Sequence, residues 1–391
     1  MAESRDERLV TGYSGRLLIA VSLGWLAIQG GRLVLSPLLP AIQTDLGIDS
    51  TRAGFALTVL WGLYASLQYP SGRLSDVLTR KTLLVAGLLV VSVGFAALGS
   101  APTYPLFLVG ALAVGLGAGL YPTPARGLVS DLFVERRGQA FGLHTASGDV
   151  GGVAAAVLAT AVVALATWRT AFLPVVFSTV AVAVALHLWS RESYVLDRPG
   201  LALRSTARRL LGSDETRWLL VAYASFAFTW QATTGFLPTY LQIGKTFTPL
   251  VANVAFAALF VVGAVVKPVA GGLADRVPKP LLAVTAVGLG ALSLTAVVLS
   301  TTPLVATAAV VLFAAGLMAY PPVMQAYLMD TFPDESAAGD LGAMRSVYIG
   351  LGALGPTYVG VVADAFSYDV AFAGLVGTLL LSGGLIFWTT R

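Results

Sequence analysis

Long apolar stretches recur along almost the whole chain and are separated by short polar segments. A helix that crosses a lipid bilayer needs about 20 mostly apolar residues, and twelve stretches fit that length. They cover residues 17–41, 52–71, 81–101, 104–129, 138–164, 169–190, 217–242, 248–271, 279–300, 303–329, 340–363 and 368–390. The pattern predicts an all-α integral membrane protein with twelve transmembrane helices, named here the first to the twelfth span.

Composition indicates that lipid forms most of the surroundings of this chain. Hydrophobic residues make up 57% of the 391 residues and charged residues only 11%, whereas a soluble domain carries about 25% charged residues. The chain has no cysteine, and its two histidines, His144 and His187, are far apart in sequence. We therefore expect no disulfide, no metal site and no cofactor.

The basic residues outside the spans are distributed unequally between the two sides of the predicted bundle. Seventeen lie on the side that carries both termini, and three, Arg52, Arg169 and Lys245, lie on the other. Cytoplasmic loops carry the excess of Lys and Arg in membrane proteins. This predicts a multi-pass protein of the plasma membrane with both termini in the cytoplasm. The net charge of +4 is then a topology signal and does not indicate nucleic-acid binding.

The two halves of the chain repeat each other. Residues 72–76 (GRLSD) reappear as residues 271–275 (GGLAD) at an offset of 199. The same offset relates the fourth and tenth spans through the pairs Gly117 and Gly316, Tyr121 and Tyr320, Pro122 and Pro321, and Asp131 and Asp330. The constant register predicts two pseudo-symmetric six-helix bundles, residues 1–190 and 217–391, joined by a cytoplasmic linker at residues 191–216.

The linker is the only long polar connection in the sequence. Its leucines are interspersed with basic residues, a pattern that suits a short amphipathic helix on the inner membrane surface. A plain solvated linker is the alternative, and the sequence leaves both open. The leucines concerned are Leu201, Leu203, Leu210 and Leu211.

The segment after the second span resembles the loop signature G-x-L-x-D-x-x-G-R-K/R of the major facilitator superfamily. Residues 72–76 and 80–81 match it, while Thr79 replaces a usual glycine. Residues 135–138 (ERRG) and 168–172 (WRTAF) are also similar to the family. With the duplication, the chain is identified as a member over essentially its whole length. The resemblance implies secondary active transport of a small solute by a monomer in the lipid bilayer, with two halves that rock around a central site.

The resemblance also implies a cytoplasmic gate between the halves. Asp76 is expected at the positive N-terminal end of the eleventh helix, near residues 339–345, with Arg126 as its basic partner. Glycines of the motif are expected to let helix ends pack closely. The predicted gate residues are Gly72, Asp76, Arg80, Lys81, Arg126, Gly271 and Asp275. The alternative is that these residues only anchor loops at the lipid headgroups.

Five charged residues lie inside the predicted spans and away from the span ends, where each needs a partner or a water-filled cavity. Arg32 lies near the middle of the first span, on one helical face with Trp25, Gln29 and Ser36, and Asp149 lies midway along the fifth span. We predict that Arg32 and Asp149 form a pair. It is either a structural salt bridge or a site where Arg32 binds an anionic substrate and Asp149 carries the coupling proton. The other three, Lys267, Arg126 and Arg345, are expected to reach the cytoplasmic headgroups.

The family resemblance implies that the first, fourth, seventh and tenth helices line the central cavity. Packing between helices is the alternative role for each aromatic residue on them. Besides Gln29 and Arg32, the candidate lining residues are Tyr121, Tyr223, Trp230, Gln231, Thr234, Tyr320, Met324, Gln325 and Tyr327.

The fifth span differs from the Gly-Pro-x-x-Gly-Gly signature of drug antiporters in the family, because residues 147–152 read SGDVGG. This difference slightly favours a small solute, with an organic anion as the leading candidate and a proton as the coupling ion. A multidrug/proton efflux antiporter is the alternative, and a non-transporting receptor or sensor is less favoured. An enzyme is not expected, because the sequence has no clustered histidines, no cysteine, no phosphate-binding loop and no nucleophile motif.

Overall fold

The computed structural model describes residues 7–195, 197, 211–332 and 337–389, without the side chains of residues 76, 337 and 338. This part of the chain contains helices and no β-strand. The first to sixth spans consist of Gly12–Leu33 with Leu35–Leu46, Ser50–Ser66 with Gln68–Val77, Arg80–Ser100, Tyr104–Leu120 with Pro122–Leu132, Arg137–Leu165, and Trp168–Ala171 with Phe172–Trp189. The seventh to twelfth consist of Asp214–Thr239 with Tyr240–Gly244, Pro249–Ala274, Lys279–Leu299, Pro303–Thr331, Ala337–Gly352 with Leu354–Ala365, and Tyr368–Thr389.

Length and composition separate these spans into two groups. Within the described residues, nine helices are long and apolar enough to cross a bilayer, or ten when the bent pair of the first span counts as one. The second span, which divides at Leu67 into helices of 17 and 10 residues, is not among them. The seventh is long enough but carries buried polar side chains such as Gln231, Thr233 and Thr239, which contact protein instead of lipid.

Helix breaks differ between the two halves. The first span bends by 40° at Val34. The fourth span is broken at Tyr121, directly before Pro122, whereas the tenth span continues through Pro321 and Pro322. A proline removes one backbone hydrogen bond and crowds the preceding turn. The equivalent prolines Pro122 and Pro321 therefore coincide with a break in one helix and not in its repeat partner.

The two halves meet mainly along three pairs of spans: the second with the eleventh, the fifth with the eighth, and the first with the seventh. Ser36 of the first span donates a hydrogen bond to the carbonyl oxygen of Gly235 in the seventh, at 2.9 Å. These two residues are repeat partners at the offset of 199. Since equivalent positions touch each other only on a two-fold axis, the pseudo-symmetry axis passes between them.

The second and eleventh spans close the end of the molecule opposite to the termini, here called the opposite end. The Asp364 carboxylate accepts hydrogen bonds from the backbone N–H groups of Ser50 at 3.2 Å and Thr51 at 2.7 Å. A Cβ atom on Gly54 would lie 2.3 Å from the carbonyl oxygen of Pro356. Only glycine permits this approach, so the halves are in direct backbone contact here.

Two ion pairs repeat faithfully at the end that carries the termini, here called the basic end. Arg80 lies 3.3 Å from Asp131 in the first half. Lys279 lies 2.5 Å from Asp330 in the second half. Each residue is the partner of its counterpart at the offset of 199. The duplication predicted from sequence therefore extends to side-chain pairing.

A second repeated pair lies at the opposite end, with its charges exchanged. Asp45 lies 2.7 Å from Arg169 in the first half. Lys245 lies 2.8 Å from Asp369 in the second half. With an offset of 200, the acid Asp45 corresponds to the base Lys245, and Arg169 corresponds to Asp369. The pairing is kept while the charge of each position is reversed.

Candidate functional site

A cavity of about 160 Å³ lies between the halves, on the basic-end side of the second and eleventh spans. The second, fourth, tenth and eleventh spans supply its walls. The lining residues are Gln68, Thr123, Arg126, Gln325, Leu341, Gly342, Arg345 and Tyr348. Two of these side chains are arginines, and none of the described lining side chains is acidic.

Arg345 is surrounded by tyrosines. The hydroxyl groups of Tyr348, Tyr64 and Tyr223 lie close enough to interact electrostatically with its guanidinium group. Arg126 is a second cation near Arg345. The Nε atom of Arg345 has no hydrogen-bond partner among the described residues. Neutral hydroxyl groups therefore surround two guanidinium groups that repel each other.

Arg32 lies next to this cavity in an aromatic cage. Its guanidinium carbon is 4.5 Å from the ring centre of Trp61 and 4.3 Å from that of Tyr64, and the side chain is only 5% exposed. One guanidinium nitrogen donates to Gln29 Oε1, and the Nε and Nη1 atoms have no hydrogen-bond partner among the described residues. Cation–π contacts are worth about 2 kcal/mol when desolvated. Tyr64 also interacts with Arg345, so it connects Arg32 to the cavity.

The predicted pair between Arg32 and Asp149 is wrong. The Asp149 carboxylate is instead 2.5 Å from the ammonium group of Lys267 on the eighth span. Gly148 and Gly151 occupy the face of the fifth span that packs on the first. Asp149 therefore lies on the other face of the fifth span, toward the eighth. Lys267, which was expected to reach the headgroups, closes this contact between the halves.

A stack of aromatic rings stands behind Tyr348. Its ring is parallel to that of Tyr223, with centres 3.8 Å apart. Tyr223 meets Tyr320 edge-to-face at 5.4 Å, and Phe226 stacks on Tyr320 at 4.1 Å. The Tyr320 hydroxyl forms a hydrogen bond of 3.2 Å with Ser382. Tyr223 and Tyr320 therefore support the cavity wall and do not line it.

The other predicted lining residues on the fourth and seventh spans take part in packing. The Tyr121 hydroxyl donates to the carbonyl oxygen of Val21 at 2.9 Å. Thr234 donates to the carbonyl oxygen of Trp230, which is half-buried. Gln231 donates to the carbonyl oxygen of Ile349 at 2.9 Å. None of these side chains lines the cavity.

The candidates on the tenth span are divided between three places. Gln325 lines the cavity. Met324 is fully buried in the core. Tyr327, predicted at the central cavity, lies in a separate polar groove at the basic end together with Glu215 and Lys279. The tenth span thus turns only part of its predicted stripe toward the cavity.

The predicted gate residues are also dispersed. A Cβ atom on Gly72 would be in ordinary contact with Thr123, at 3.5 Å, and one on Gly271 would meet no atom within 4 Å. The expectation that both glycines allow close helix packing is therefore wrong for Gly271, whose neighbourhood is open. Asp275 lines the basic-end groove.

The three basic gate candidates have different neighbours. Arg80 donates to the backbone oxygen of Ser75 at 2.6 Å and pairs with Asp131. Lys81 donates to the carbonyl oxygen of Ser190 at 3.1 Å. Arg126 lines the cavity, where the expectation was a gate or a headgroup contact. The side chain of Asp76 lies outside the described residues, as do three of the four linker leucines.

The residues that were not predicted from the sequence include Gln68 and Tyr348 in the cavity wall and Tyr64 beside it. The internal repeat contains a signal for two of them. At the offset of 199, Gln68 corresponds to Lys267 and Tyr348 corresponds to Asp149. Lys267 and Asp149 form an ion pair between the eighth and fifth spans. Their repeat partners, Gln68 and Tyr348, form part of the cavity wall between the second and eleventh spans.

Comparisons with known proteins show what this chain is similar to. The sequence model of the family described as Major Facilitator Superfamily matches residues 17–348 and 245–391. The chain is 26% identical over 271 residues to a probable sulfoacetate transporter of Cupriavidus necator, covering 63% of this chain and 62% of that protein, so it spans less than two thirds of that relative. It is 28% identical over 327 residues to a gentisate transporter of Corynebacterium glutamicum, covering 79% and 72%.

A solved structure gives the same fold. A bacterial homologue of the human lysosomal transporter Spinster, in an inward-facing and occupied conformation, is similar to this chain with a TM-score of 0.85. The match covers 97% of both chains at 18% sequence identity. The prediction of twelve helices in two bundles is thereby confirmed, whereas the boundaries at residues 190 and 217 stay a prediction.

Proposed function

This chain belongs to the Major Facilitator Superfamily, and on that premise we propose that it is a secondary active transporter of a small organic anion. Membership makes it a membrane-embedded transporter of small solutes and not an enzyme. Alternating access, a coupling proton, a monomer in the plasma membrane and cytoplasmic termini are parts of the proposal. The cavity is its proposed binding site.

The observation that carries the proposal is the convergence of Arg32, Arg126 and Arg345. A charge inside a membrane protein requires a partner or water, and the described neighbours of these arginines are aromatic rings, hydroxyl groups and amides. An anionic solute supplies the missing charge. A cationic solute entering the same cavity would meet repulsion from all three side chains, which disfavours the multidrug antiporter.

The contact between the fifth and eighth spans suggests where the proton acts. Asp149 is the acid that faces Lys267 across the boundary between the halves. A proton on Asp149 removes the attraction and loosens the contact, whereas its loss restores the attraction. This coupling joins protonation to the rocking of the two halves about the central site.

Purified protein in liposomes with an imposed pH gradient tests the proposal. We expect saturable, gradient-driven flux of a small organic anion and its loss in Arg345→Gln. We expect Asp149→Asn to retain anion exchange while losing the response to the gradient. Flux of a cationic dye without flux of any anion would establish the antiporter instead. No flux of any solute would favour a receptor.

A further inference from the structure

The three arginines leave the cavity region with an excess of positive charge. Arg32 and Arg126 come from the first half and Arg345 from the second. Lys267 does not add to this excess because Asp149 neutralises it. The described lining side chains include no carboxylate.

The excess is built into the asymmetry of the repeat. At the offset of 199, Arg126 corresponds to the neutral Gln325, and Arg345 corresponds to Ala146. Tyr348, one turn from Arg345, occupies the position that Asp149 holds in the other half. The cavity therefore contains arginines that have no counterpart in the repeat, and the position equivalent to Asp149 holds a neutral tyrosine.

The cations form two groups with different surroundings. Arg32 is held against Trp61 and Tyr64, and two of its nitrogens have no hydrogen-bond partner among the described residues. Arg126 and Arg345 lie together in the cavity. Tyr64 interacts with all three arginines. One negative charge placed at either group leaves the other uncompensated, which is unfavourable in a low-dielectric site.

We propose that the substrate is a small dianion, with one acidic group bound by Arg32 and the other by Arg126 and Arg345. This inference rests on the proposed function and narrows its substrate class. The cavity of about 160 Å³ equals roughly five water molecules at about 30 Å³ each. A short or flat molecule with two carboxylate or sulfonate groups matches both the volume and the charge.

Matched pairs of ligands test the number of charges. The probes are malonate with propionate, succinate with butyrate, and terephthalate with benzoate, measured by calorimetry and by the shift in unfolding temperature of the detergent-solubilised protein. Within at least one pair, we expect the dianion to bind at least about tenfold more tightly than the monoanion of similar size. This corresponds to about 1.4 kcal/mol.

Variants separate the two cationic groups. Arg345→Gln is expected to weaken the binding of the dianion more than that of the monoanion, which reduces the dianion preference to less than about threefold. Arg345→Lys, which keeps the charge, is expected to retain most of the preference. Arg52→Gln, an exposed arginine at the opposite end, is the control and leaves the preference unchanged. The lysine variant also shows whether any loss reflects misfolding.

Each outcome decides the inference. Equal binding of monoanions and dianions, no binding of any dianion, or equal weakening of both classes by Arg345→Gln overturns it. If monoanions bind and are transported, the proposed function stands without this refinement. If only cationic or neutral solutes bind, the proposed function fails as well.

Discussion

Two of the three main contacts that join the halves occupy equivalent places in the repeat and have opposite chemistry. Between the fifth and eighth spans, Asp149 and Lys267 form an ion pair at 2.5 Å. At the equivalent positions of the eleventh and second spans stand Tyr348 and Gln68, and both face the cavity. Equivalent backbone positions therefore carry an ion pair at the contact between the fifth and eighth spans and uncharged side chains at the contact between the second and eleventh.

Under the proposed function, this difference gives the duplicated scaffold a single binding site. Two symmetric ion pairs would place a carboxylate beside Arg345, where it would compete with an anionic solute. In the proposed mechanism, the neutral pair leaves Arg345 available for the anion and Asp149 of the ion pair carries the coupling proton, so binding and coupling are divided between the two contacts.

The largest expected effect comes from removing only one member of the ion pair between Asp149 and Lys267. Lys267→Met leaves the Asp149 carboxylate without its partner, and removing one member of a buried pair costs about 3–5 kcal/mol. We expect about 3 kcal/mol of lost stability, the lower value, because the Lys267 side chain keeps 27% exposure. Thermal and denaturant unfolding in detergent measures the loss.

Two companion variants make this test specific. Lys267→Met combined with Asp149→Asn is expected to recover most of the stability, since no buried charge remains. Gln68→Met at the neutral contact is expected to cost no more than about 1 kcal/mol, the typical value of a hydrogen bond. Equal losses in Lys267→Met and Gln68→Met would show that the two contacts do not differ as described.

The next largest effect is expected from introducing an acidic residue at the uncharged contact between the second and eleventh spans. Tyr348→Asp recreates the charge of its repeat partner beside Arg345, where the new carboxylate competes with the anion. We expect the affinity for an anionic substrate to fall by about 10- to 100-fold, or about 1.4–2.7 kcal/mol. Tyr348→Phe, which adds no charge, is the matched control. Substrate titration of both variants is the measurement, and unchanged affinity in Tyr348→Asp argues against a site at Arg345.

An effect of similar or smaller size is expected from overfilling the tight packing between the fifth and eighth spans. A Cβ atom on Gly152 would lie 2.3 Å from the ring of Phe260 on the eighth span, and overpacking costs about 1–3 kcal/mol. Gly142→Ala is the control on the same helix, because a Cβ atom there meets nothing within 4 Å. Unfolding curves should show Gly152→Ala destabilised and Gly142→Ala neutral or slightly stabilised.

The smallest expected effect concerns the opposite end of the neutral contact. Asp364→Asn keeps one acceptor oxygen for Ser50 and Thr51 and loses the negative charge, which shifts the balance toward opening at that end by about 1 kcal/mol, or roughly fivefold. The chain has no cysteine, so the labelling rate of a single Thr357→Cys reports this opening. Asp45→Asn does not cross between the halves and serves as the control, and equal labelling in both backgrounds contradicts the assignment.

The hydrophobic pattern predicts the fold well, because apolar length and a fixed repeat register are properties of the sequence itself. The twelve spans and two bundles are confirmed by the fold comparison. The second span was predicted to end at residue 71 but continues to Val77. Its last turns carry the polar motif GRLSD, which does not register as apolar although it is helical.

The candidate site was predicted only in part. Arg32 was found because a polar stripe on an apolar helix is visible in sequence. Its partner was misassigned because sequence does not give the rotation of the fifth span, and a basic residue stood on each neighbouring span. Neutral residues such as Gln68 and Tyr348 carry no charge that would mark them in the sequence. They could have been identified only as the positions equivalent, at the offset of 199, to the ion pair of Lys267 and Asp149.

The exchanged pairs at the opposite end, Asp45 with Arg169 and Lys245 with Asp369, also indicate how the two copies diverged after the duplication. The two copies differ in charge at both positions, so at least two charge-changing substitutions separate them. A sequence in which only one residue of the pair had changed would have lost little stability, because Asp45 and Asp369 keep 42% and 49% exposure and such exposed pairs contribute about 0–1 kcal/mol. In an alignment of descendants, these positions should therefore vary together and often, whereas Asp149 and Lys267 should change rarely and only as a unit.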